Sequence, residues 1–544
     1  MQANVLRFLS VGNLLAPESG ALIGLTGAGL SECLDSESLS SWLAAFPASL
    51  RLPAVDTTRP LFVSVLNLLW AFTEHARLWP ASARLLERSE VSLRIWLPVD
   101  DRRAAEAAVA LVLHIVQAVR AGLLPDSRAF QLWNALRSSS WNQTHAHLAR
   151  AAQQLSVPFY RVERGEQQFL QLGQGYRLRL CHETLTDRTP LFARTTTNKQ
   201  ALHALLQHRG VPLPAQTAVD SLEQALAAAE RIGWPVVLKP VSGGKGQGVW
   251  VGLACPDALR QAWRANNASS QKRQLVQQTL SGADHRLLVI NGELLAVAQR
   301  QPAMLCSDGQ RPLREQIAAL NADPERGVGY ERLKNRVPVD QRLALLLAEQ
   351  RLSLDSVPSA GLPVQLARAA NISQGGSAID CSERVHPDNR RLAEDIATLI
   401  GSDVVGLDFM SRDIGVSWRE GGTWLLEANL SPGLRPHLIA DPQGDLCQRI
   451  VRQWVGDGPR AGRIPTALIT GSIGKTTTSR MLAHLLHTAG KRVGLTSTTG
   501  MELDGQVIAH GDLAGGGAAL RLLQDRRVEA LVAEVARGGI LKAG

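Results

Sequence analysis

Aromatic side chains are scarce: 12 Trp, 9 Phe and 3 Tyr among 544 residues. A surface of stacked aromatics, the usual platform for single-stranded nucleic acid, has little to draw on. No Lys/Arg run is interleaved with aromatics either. The six cysteines (Cys33, Cys181, Cys255, Cys306, Cys381 and Cys447) are scattered singly. Without a C-x-x-C pair, zinc and dithiol redox motifs are excluded, and buried free thiols in a reducing compartment are expected. No charged segment followed by an apolar core and a cleavage site opens the chain. The most apolar helical stretch, residues 107–118, contains His114 and Gln117 and is too short to span a bilayer. These absences predict a cytoplasmic protein with no membrane partner.

What is present is an ordinary globular composition, 45% hydrophobic and 20% charged. The length exceeds what one core organises and suggests about three domains. Lys and Arg exceed Asp and Glu by 9, and the pI is near 9.6. That balance favours an anionic partner, a nucleotide or acidic polymer, with nucleic acid the weakest of the choices.

The sequence is organised around residues 404–437. One apolar run ends in Asp408, and a second, Trp424-Leu425-Leu426, ends in Glu427-Ala428-Asn429. Strand alternation points Glu427 and Asn429 to one side. Asp408 on a neighbouring strand would complete an all-oxygen set suited to Mg²⁺, which binds together with substrate phosphates. Solvated hairpin ends are the plain alternative for any single acid. The triplet, followed by Ser431-Pro432-Gly433 and Arg435, favours the metal.

Residues 235–240 read as a buried strand ending in Lys239-Pro240. Directly after it, Ser242-Gly243-Gly244-Lys245-Gly246-Gln247-Gly248-Val249 can turn successive N–H groups toward phosphate, because glycines accept the required dihedrals. Earlier, Thr197-Asn198-Lys199 starts a helix that ends at Gly210, with Lys199 either a phosphate contact or a surface lysine. Ser373-Gln374-Gly375-Gly376 is a second anion cradle or only a turn, and His386 before Pro387 reads as a helix start. Residues 464–469 form a buried strand leading into Gly471-Ser472-Ile473-Gly474-Lys475-Thr476 and a helix, a P-loop architecture. The full spacing fails because Ile469 occupies the first glycine place.

Asp408, Glu427 and Asn429 in D…E-x-N-x-x-P-G resemble the metal-binding end of the ATP-grasp ligases. With Arg435 and His437 after Pro432-Gly433, the string resembles the cyanophycin synthetases, densely from about residue 140 to 441. The resemblance implies an α/β multidomain protein: an N-terminal α+β domain over 1–139, an ATP-grasp domain over 140–458, and a partial Mur ligase-type P-loop domain over 462–544. It implies ATP and Mg²⁺ as cofactors, with Asp408, Glu427 and Asn429 on the metal. Lys199, Lys239 and the glycine loop (Gly243, Gly244, Lys245, Gly246, Gly248) face the phosphates, and Gln277 and Gln278 meet adenine. Asp284 takes the ribose and Arg286 faces the transferred phosphoryl group, although the two could instead form a cross-strand ion pair. Arg435 neutralises a substrate carboxylate or the acyl phosphate. Lys245 stands where the family carries His, and Gln277 where it carries Glu.

In the Mur-like segment, Gly471, Gly474, Lys475 and Thr476 follow the short G-x-x-G-K-T form, and Glu534 stands at the place of a metal-binding acid. Ile473 replaces a polar Asn, and Leu513-Ala514-Gly515-Gly516 lacks the expected Thr-rich segment. The chain stops at Gly544, so this module is expected to be vestigial, truncated or completed by a partner. Residues 1–139 inherit a polymer-binding or oligomerisation role by position alone. The expected function is an ATP-dependent carboxylate–amine ligase acting on an amino acid, a peptide or a cyanophycin-like polymer, as a homo-oligomer. A ligase for another peptide and a non-catalytic nucleotide-binding scaffold are the competing readings.

Overall fold

The computed structural model describes residues 2–9, 20–26, 39, 42, 65–69, 72–73, 84–88, 92–98, 102–138, 141–165, 167–241, 248–267, 273–329, 332–441 and 443–535. The chain divides into two compact units, residues 1–182 with 454–544, and residues 183–453. The division therefore places residues 140–182 with the first unit, whereas the motifs alone group them with the ATP-grasp segment. Among the described residues, no helix is long and apolar enough to cross a membrane. The cysteines described are free, but Cys255 and Cys306 are exposed, a correction to the expectation of buried thiols. Cys33 lies outside the described residues.

The first unit begins with an antiparallel sheet of β1 (Gln2–Leu9), β2 (Gly20–Thr26), β3 (Arg84–Arg88) and β4 (Ser92–Pro98), in the order β1-β2-β4-β3. Helix α1 (Arg102–Arg120) buries Ala104, Ala108, Leu111, Val112, Ile115 and Val119, the three-and-four spacing of one apolar face. Ile23, Ile95 and Leu97 of the sheet belong to the same core, together with Leu136 of α2 (Ser127–Ser138). Asn142 caps α3 (Gln143–Gln154), its Oδ1 accepting from the His145 N–H at 2.8 Å. Strands β5 (Phe159–Arg164), β6 (Gln167–Leu172) and β7 (Arg179–His182) form an antiparallel meander.

The second unit is built on two larger antiparallel sheets, beside smaller strand pairs. Helix α4 (Lys199–Leu206) precedes a four-stranded sheet of β8 (Gln216–Val219), β9 (Val236–Pro240), β10 (Trp250–Leu253) and β11 (Gln274–Gln278). Its order is β10-β9-β11-β8, and α5 (Leu222–Ile232) and α6 (Pro256–Asn267) share its core through Ala225, Ala229, Leu259 and Val276. The five-stranded sheet comprises β12 (Ala283–Ile290), β13 (Glu293–Gln301), β14 (Ser377–Asp380), β15 (Val404–Ser411) and β16 (Thr423–Asn429), ordered β14-β13-β12-β15-β16. Asn291 and Gly292 take φ of 51° and 82°, the left-handed pair of a tight hairpin turn that sets the β12–β13 register. Helix α7 (Pro387–Ile400) covers this sheet. His386 caps it by accepting from the Asp388 N–H, Pro387 opens it, and Gly401 closes it at φ 74°. His386 is thus a helix start, as its neighbour Pro387 suggests.

The last part of the first unit is a five-stranded sheet of β17 (Thr466–Ile469), β18 (Val493–Ser497), β19 (Gly500–Leu503), β20 (Gln506–His510) and β21 (Ala530–Glu534). The order is β17-β21-β18-β19-β20, with β21 parallel to both neighbours. Helix α9 (Lys475–Thr488) follows β17. Residues of the meander bind this segment through the backbone: Gln174 N–H donates to Gly462 O at 2.8 Å, and Tyr176 N–H to Val528 O at 2.9 Å. Gly175, at φ 51°, approaches so closely that a Cβ would stand 2.2 Å from Val528 O. This close backbone pairing places residues 140–182 in the first unit.

His145 is fully covered between Trp141 and His182, and burial holds its imidazole near a pKa of about 3. The folded state therefore refuses a proton that the unfolded chain takes up below about 6.5. Stability is fully present above 6.5 and is lost progressively as pH falls toward 3. Denaturant unfolding at pH 7 and pH 5 is expected to show a lower midpoint at pH 5, with a smaller difference in His145→Gln.

Candidate functional site

The site is a row of charged side chains on one face of the five-stranded sheet. Antiparallel pairing sets Arg286 opposite Asp408, Asp408 opposite Glu427, Gly406 opposite Asn429, and Asp284 opposite Arg300. Opposed residues in such a ladder share a face, so β12, β13, β15 and β16 present Asp284, Arg286, Arg300, Asp408, Glu427 and Asn429 together. Asp408 is only 5% exposed, and its Oδ1 lies 2.7 Å from Arg286 Nε and 2.7 Å from Arg300 Nη2. Arg300 also donates to Asp284 Oδ2 at 2.9 Å. Asn429 Nδ2 donates to Glu427 Oε1 at 3.1 Å, while Lys199 Nζ stands 3.3 Å from Glu427 Oε2.

Burial pushes the Asp408 carboxyl up, to about 7, against the pull of Arg286 and Arg300. Burial acts on Glu427 in the same sense, but Lys199 and hydrogen bonds from Asp408 and Asn429 outweigh it and hold Glu427 at about 2. Lys239, at the end of β9 and 8% exposed, is brought down to about 8 by burial and then by the neighbouring Lys199 charge, with Glu427 opposing. Asp408, Glu427 and the Asn429 amide supply oxygen donors only, on adjacent strands, which fits a hard cation such as Mg²⁺. The set is two carboxylates and an amide. Among the described residues, no cluster of three or more His, Cys, Asp or Glu offers a metal site.

Residues 192–283 match the ATP-grasp domain family, and residues 469–543 match the Mur ligase middle domain. Over 453 residues, 81% of its length, the chain is 34% identical to the cyanophycin synthetase of Trichormus variabilis, covering 49% of that protein. The identity to that of Crocosphaera subtropica is also 34%, over 81% of this chain and 51% of the relative. The chain is a homologue of the cyanophycin synthetases. It spans about half the length of the curated relatives it matches. A solved bifunctional glutathione synthetase from Pasteurella multocida aligns with a TM-score of 0.46 at 24% identity, over 63% of this chain and 49% of that one.

Against the expectations for a cyanophycin synthetase homologue, several residues sit differently. Asp284 is engaged by Arg300, leaving Oδ1 buried without a partner, and it does not pair with Arg286. Arg300 itself has no motif around it. Its signal is only its position two residues beyond Ala298, on the sheet face of Arg286. Arg435, in α8 (Arg435–Ala440), turns its guanidinium to the carbonyls of Gly329, Arg332 and Leu333 and to Asn335 Oδ1. The guanidinium thereby ties α8 to Gly329, Arg332, Leu333 and Asn335. The Ser373–Gly376 cradle is a turn: the N–H groups of Gln374 and Gly376 donate to Asn371 O, and that of Gly375 to Ile372 O. Gln277 and Gln278 lie in β11, where Gln277 is buried opposite Val237 and the Gln278 N–H donates to Ala215 O. Gly243, Gly244, Lys245 and Gly246 lie outside the described residues, and Gly248 stands just before β10.

In the first unit, Gly471 and Gly474 precede α9, whose first residues are Lys475 and Thr476. Thr476 Oγ1 donates to the Glu534 carboxylate, with oxygens at 2.9 and 3.1 Å. Ile469 and Glu534 are register partners at the ends of parallel β17 and β21. The glycine loop and the acid therefore meet at the carboxyl ends of the strands, where such sheets bind ligands. Ile473 is 94% exposed at the loop tip.

Removing Arg300 would leave Asp284 without its cation and Asp408 with one instead of two. Breaking a buried charge pair costs about 3–5 kcal/mol. Arg300→Met is expected to lower the denaturant midpoint of the chain strongly, and Asp284→Asn to lower it less. Equal midpoints for wild type and Arg300→Met would show that the buried pairs carry no stability.

Proposed function

We propose that the chain is an ATP-dependent carboxylate–amine ligase whose chemistry takes place on the Arg286–Asp408–Glu427 face. The observation that carries this reading is the juxtaposition of that oxygen-rich row with Lys199 and Lys239, two cations suited to a triphosphate. In the reaction, a substrate carboxylate oxygen attacks the γ-phosphorus of ATP, and the bond to the β-phosphate oxygen breaks to release ADP. An amine then attacks the acyl phosphate carbon, inorganic phosphate leaves, and the amine loses a proton as the amide forms. The protein's contribution is positioning and charge stabilisation. Lys199 and Lys239 face the phosphates, and Arg286, whose buried Nη1 has no acceptor, faces the transferred group. Asp408, Glu427 and Asn429 would hold Mg²⁺, which when bound offsets phosphate charge.

The substrates we propose are those of the cyanophycin class: a peptide or polymer carboxylate, joined to aspartate or to a preformed β-aspartyl-arginine unit. We assign Arg435 to fixing Gly329, Arg332, Leu333 and Asn335, whose oxygens take its donors. Gly471, Gly474, Lys475 and Thr476, with Glu534, form a second proposed nucleotide site in the first unit.

The test is phosphate release from ATP across amino acids, dipeptides and cyanophycin primer. Release that depends on one carboxylate–amine pair supports a ligase, and absence of release with every pair supports a non-catalytic nucleotide-binding scaffold. Glu427→Gln is expected to abolish turnover and to lower the unfolding midpoint only modestly, because the amide keeps the side chain's shape while losing the Lys199 ion pair. Lys239→Ala is expected to raise the KM for ATP, while Lys475→Ala, in the other unit, leaves this release little changed. Near-normal ligation by Glu427→Gln would place the metal elsewhere.

A further inference from the structure

Each carboxylate on the site face is held by a cation of the protein itself. Asp408 takes Arg286 and Arg300, Asp284 takes Arg300, and Glu427 takes Lys199. The Lys199 ammonium lies 3.3 Å from Glu427 Oε2, with its side chain 15% exposed. A divalent cation approaching Glu427 alone meets that ammonium first, and like charges at contact distance repel strongly where water is scarce. The nearby Lys239, which shares the same environment, adds to the repulsion.

The backbone of Lys199 is fixed while its side chain has the rotamers of a long flexible stem. It is the first residue of α4, and Asn198 fixes that helix end by accepting from the N–H groups of Gln200 and Ala201 at 2.9 and 3.1 Å. Its side chain is a flexible four-carbon stem carrying a point charge with three donors, free of the planar geometry that commits an arginine to one carboxylate. Arg286 and Arg300 are differently placed. They are buried in strand interiors and bound to Asp408, so they stay with it. Among these contacts, the Lys199–Glu427 pair is the one that can open without dismantling the sheet.

We propose that Lys199 is a resident counter-ion on Glu427 that gives way to the divalent metal only when a nucleoside triphosphate binds. The triphosphate supplies the ammonium with a new anionic partner, and the Glu427 oxygen it leaves becomes available to the cation that arrives with the phosphates. The metal affinity of this face is therefore coupled to nucleotide, and by linkage nucleotide affinity is coupled to metal to the same degree. This rests on the metal assignment made above for Asp408, Glu427 and Asn429.

The experiment is a Mn²⁺ titration of the full chain, followed by water-proton relaxation enhancement, which reports Mn²⁺ held by protein. Without nucleotide, wild type is expected to bind Mn²⁺ weakly, and Lys199→Met and Lys199→Gln to bind it roughly tenfold more tightly, a typical size for coupling between ligands. Adding Glu427→Gln to Lys199→Met is expected to erase that gain, locating it at this carboxylate. With a non-hydrolysable ATP analogue, wild-type affinity for Mn²⁺ is expected to rise, and to rise less in the Lys199 variants. Equal Mn²⁺ affinity of wild type and both Lys199 variants without nucleotide overturns the counter-ion proposal while leaving the metal site standing. Absence of protein-held Mn²⁺ in wild type even with the analogue overturns the metal assignment and the proposal with it.

Discussion

The buried Asp408 carboxylate is the constraint from which the rest of the site follows. Taking a carboxylate out of water is costly unless it is paired and hydrogen-bonded, and Asp408 lies in a strand with little contact to solvent. Its neutralisation requires Arg286 on one adjacent strand and Arg300 one strand further on. Both reach it only if β12, β13 and β15 keep their register. A slip of one residue would turn each charged group to the opposite, apolar face. That opposite face carries Leu287, Val289, Leu407 and Phe409, packed against α7 through Leu392, Ile396 and Ile400. The charge row and the apolar core are two readings of one alternation, and the Asn291-Gly292 turn pins both.

Much of this was legible in the sequence because its signals are local. Two apolar runs ending in acids, a strand ending in Lys239, and a glycine loop before Lys475-Thr476 each need only a few consecutive residues. The mixed α/β architecture and the P-loop arrangement follow from them. What the sequence hid is non-local. Arg300 has no motif, and its importance comes from standing across the ladder from Asp284 and diagonally from Asp408. The alternative for Asp284 and Arg286, an ion pair with each other, does not form, for the same reason: they are two apart on one strand, and each finds its partner on a different neighbour. Arg435 reads in the sequence as a ligand for an anion because its guanidinium stands beside a Pro-Gly turn. In the fold, carbonyl oxygens about a hundred residues earlier take its donors.

The two units handle charge by different geometry. In the first unit a parallel strand pair brings the start of a helix and an acid to one edge, where Thr476 donates to Glu534. The glycines and the end of the strands do the positioning, so a short motif suffices. In the second unit an antiparallel sheet spreads the same kinds of groups across four strands, so register does the positioning. This explains why the Lys475 loop is recognisable from six residues while the Asp408 face needs more than a hundred.

The balance of charge on the Asp408 face also bears on the ligand proposed for it. Lys199, Lys239, Arg286 and Arg300 face Asp284, Asp408 and Glu427, leaving one positive charge in excess when all are ionised. Part of the strain falls on Lys239, which burial first and the Lys199 charge second bring down to about 8, with Glu427 opposing. A neutral ligand would leave this strain in place, and a cation alone would add to it. Under the counter-ion proposal, a polyanion relieves it and, by drawing the lysines to itself, uncovers the carboxylate oxygens of Glu427. On the reading proposed above, a metal–polyphosphate pair completes this balance of charge and either component alone does not.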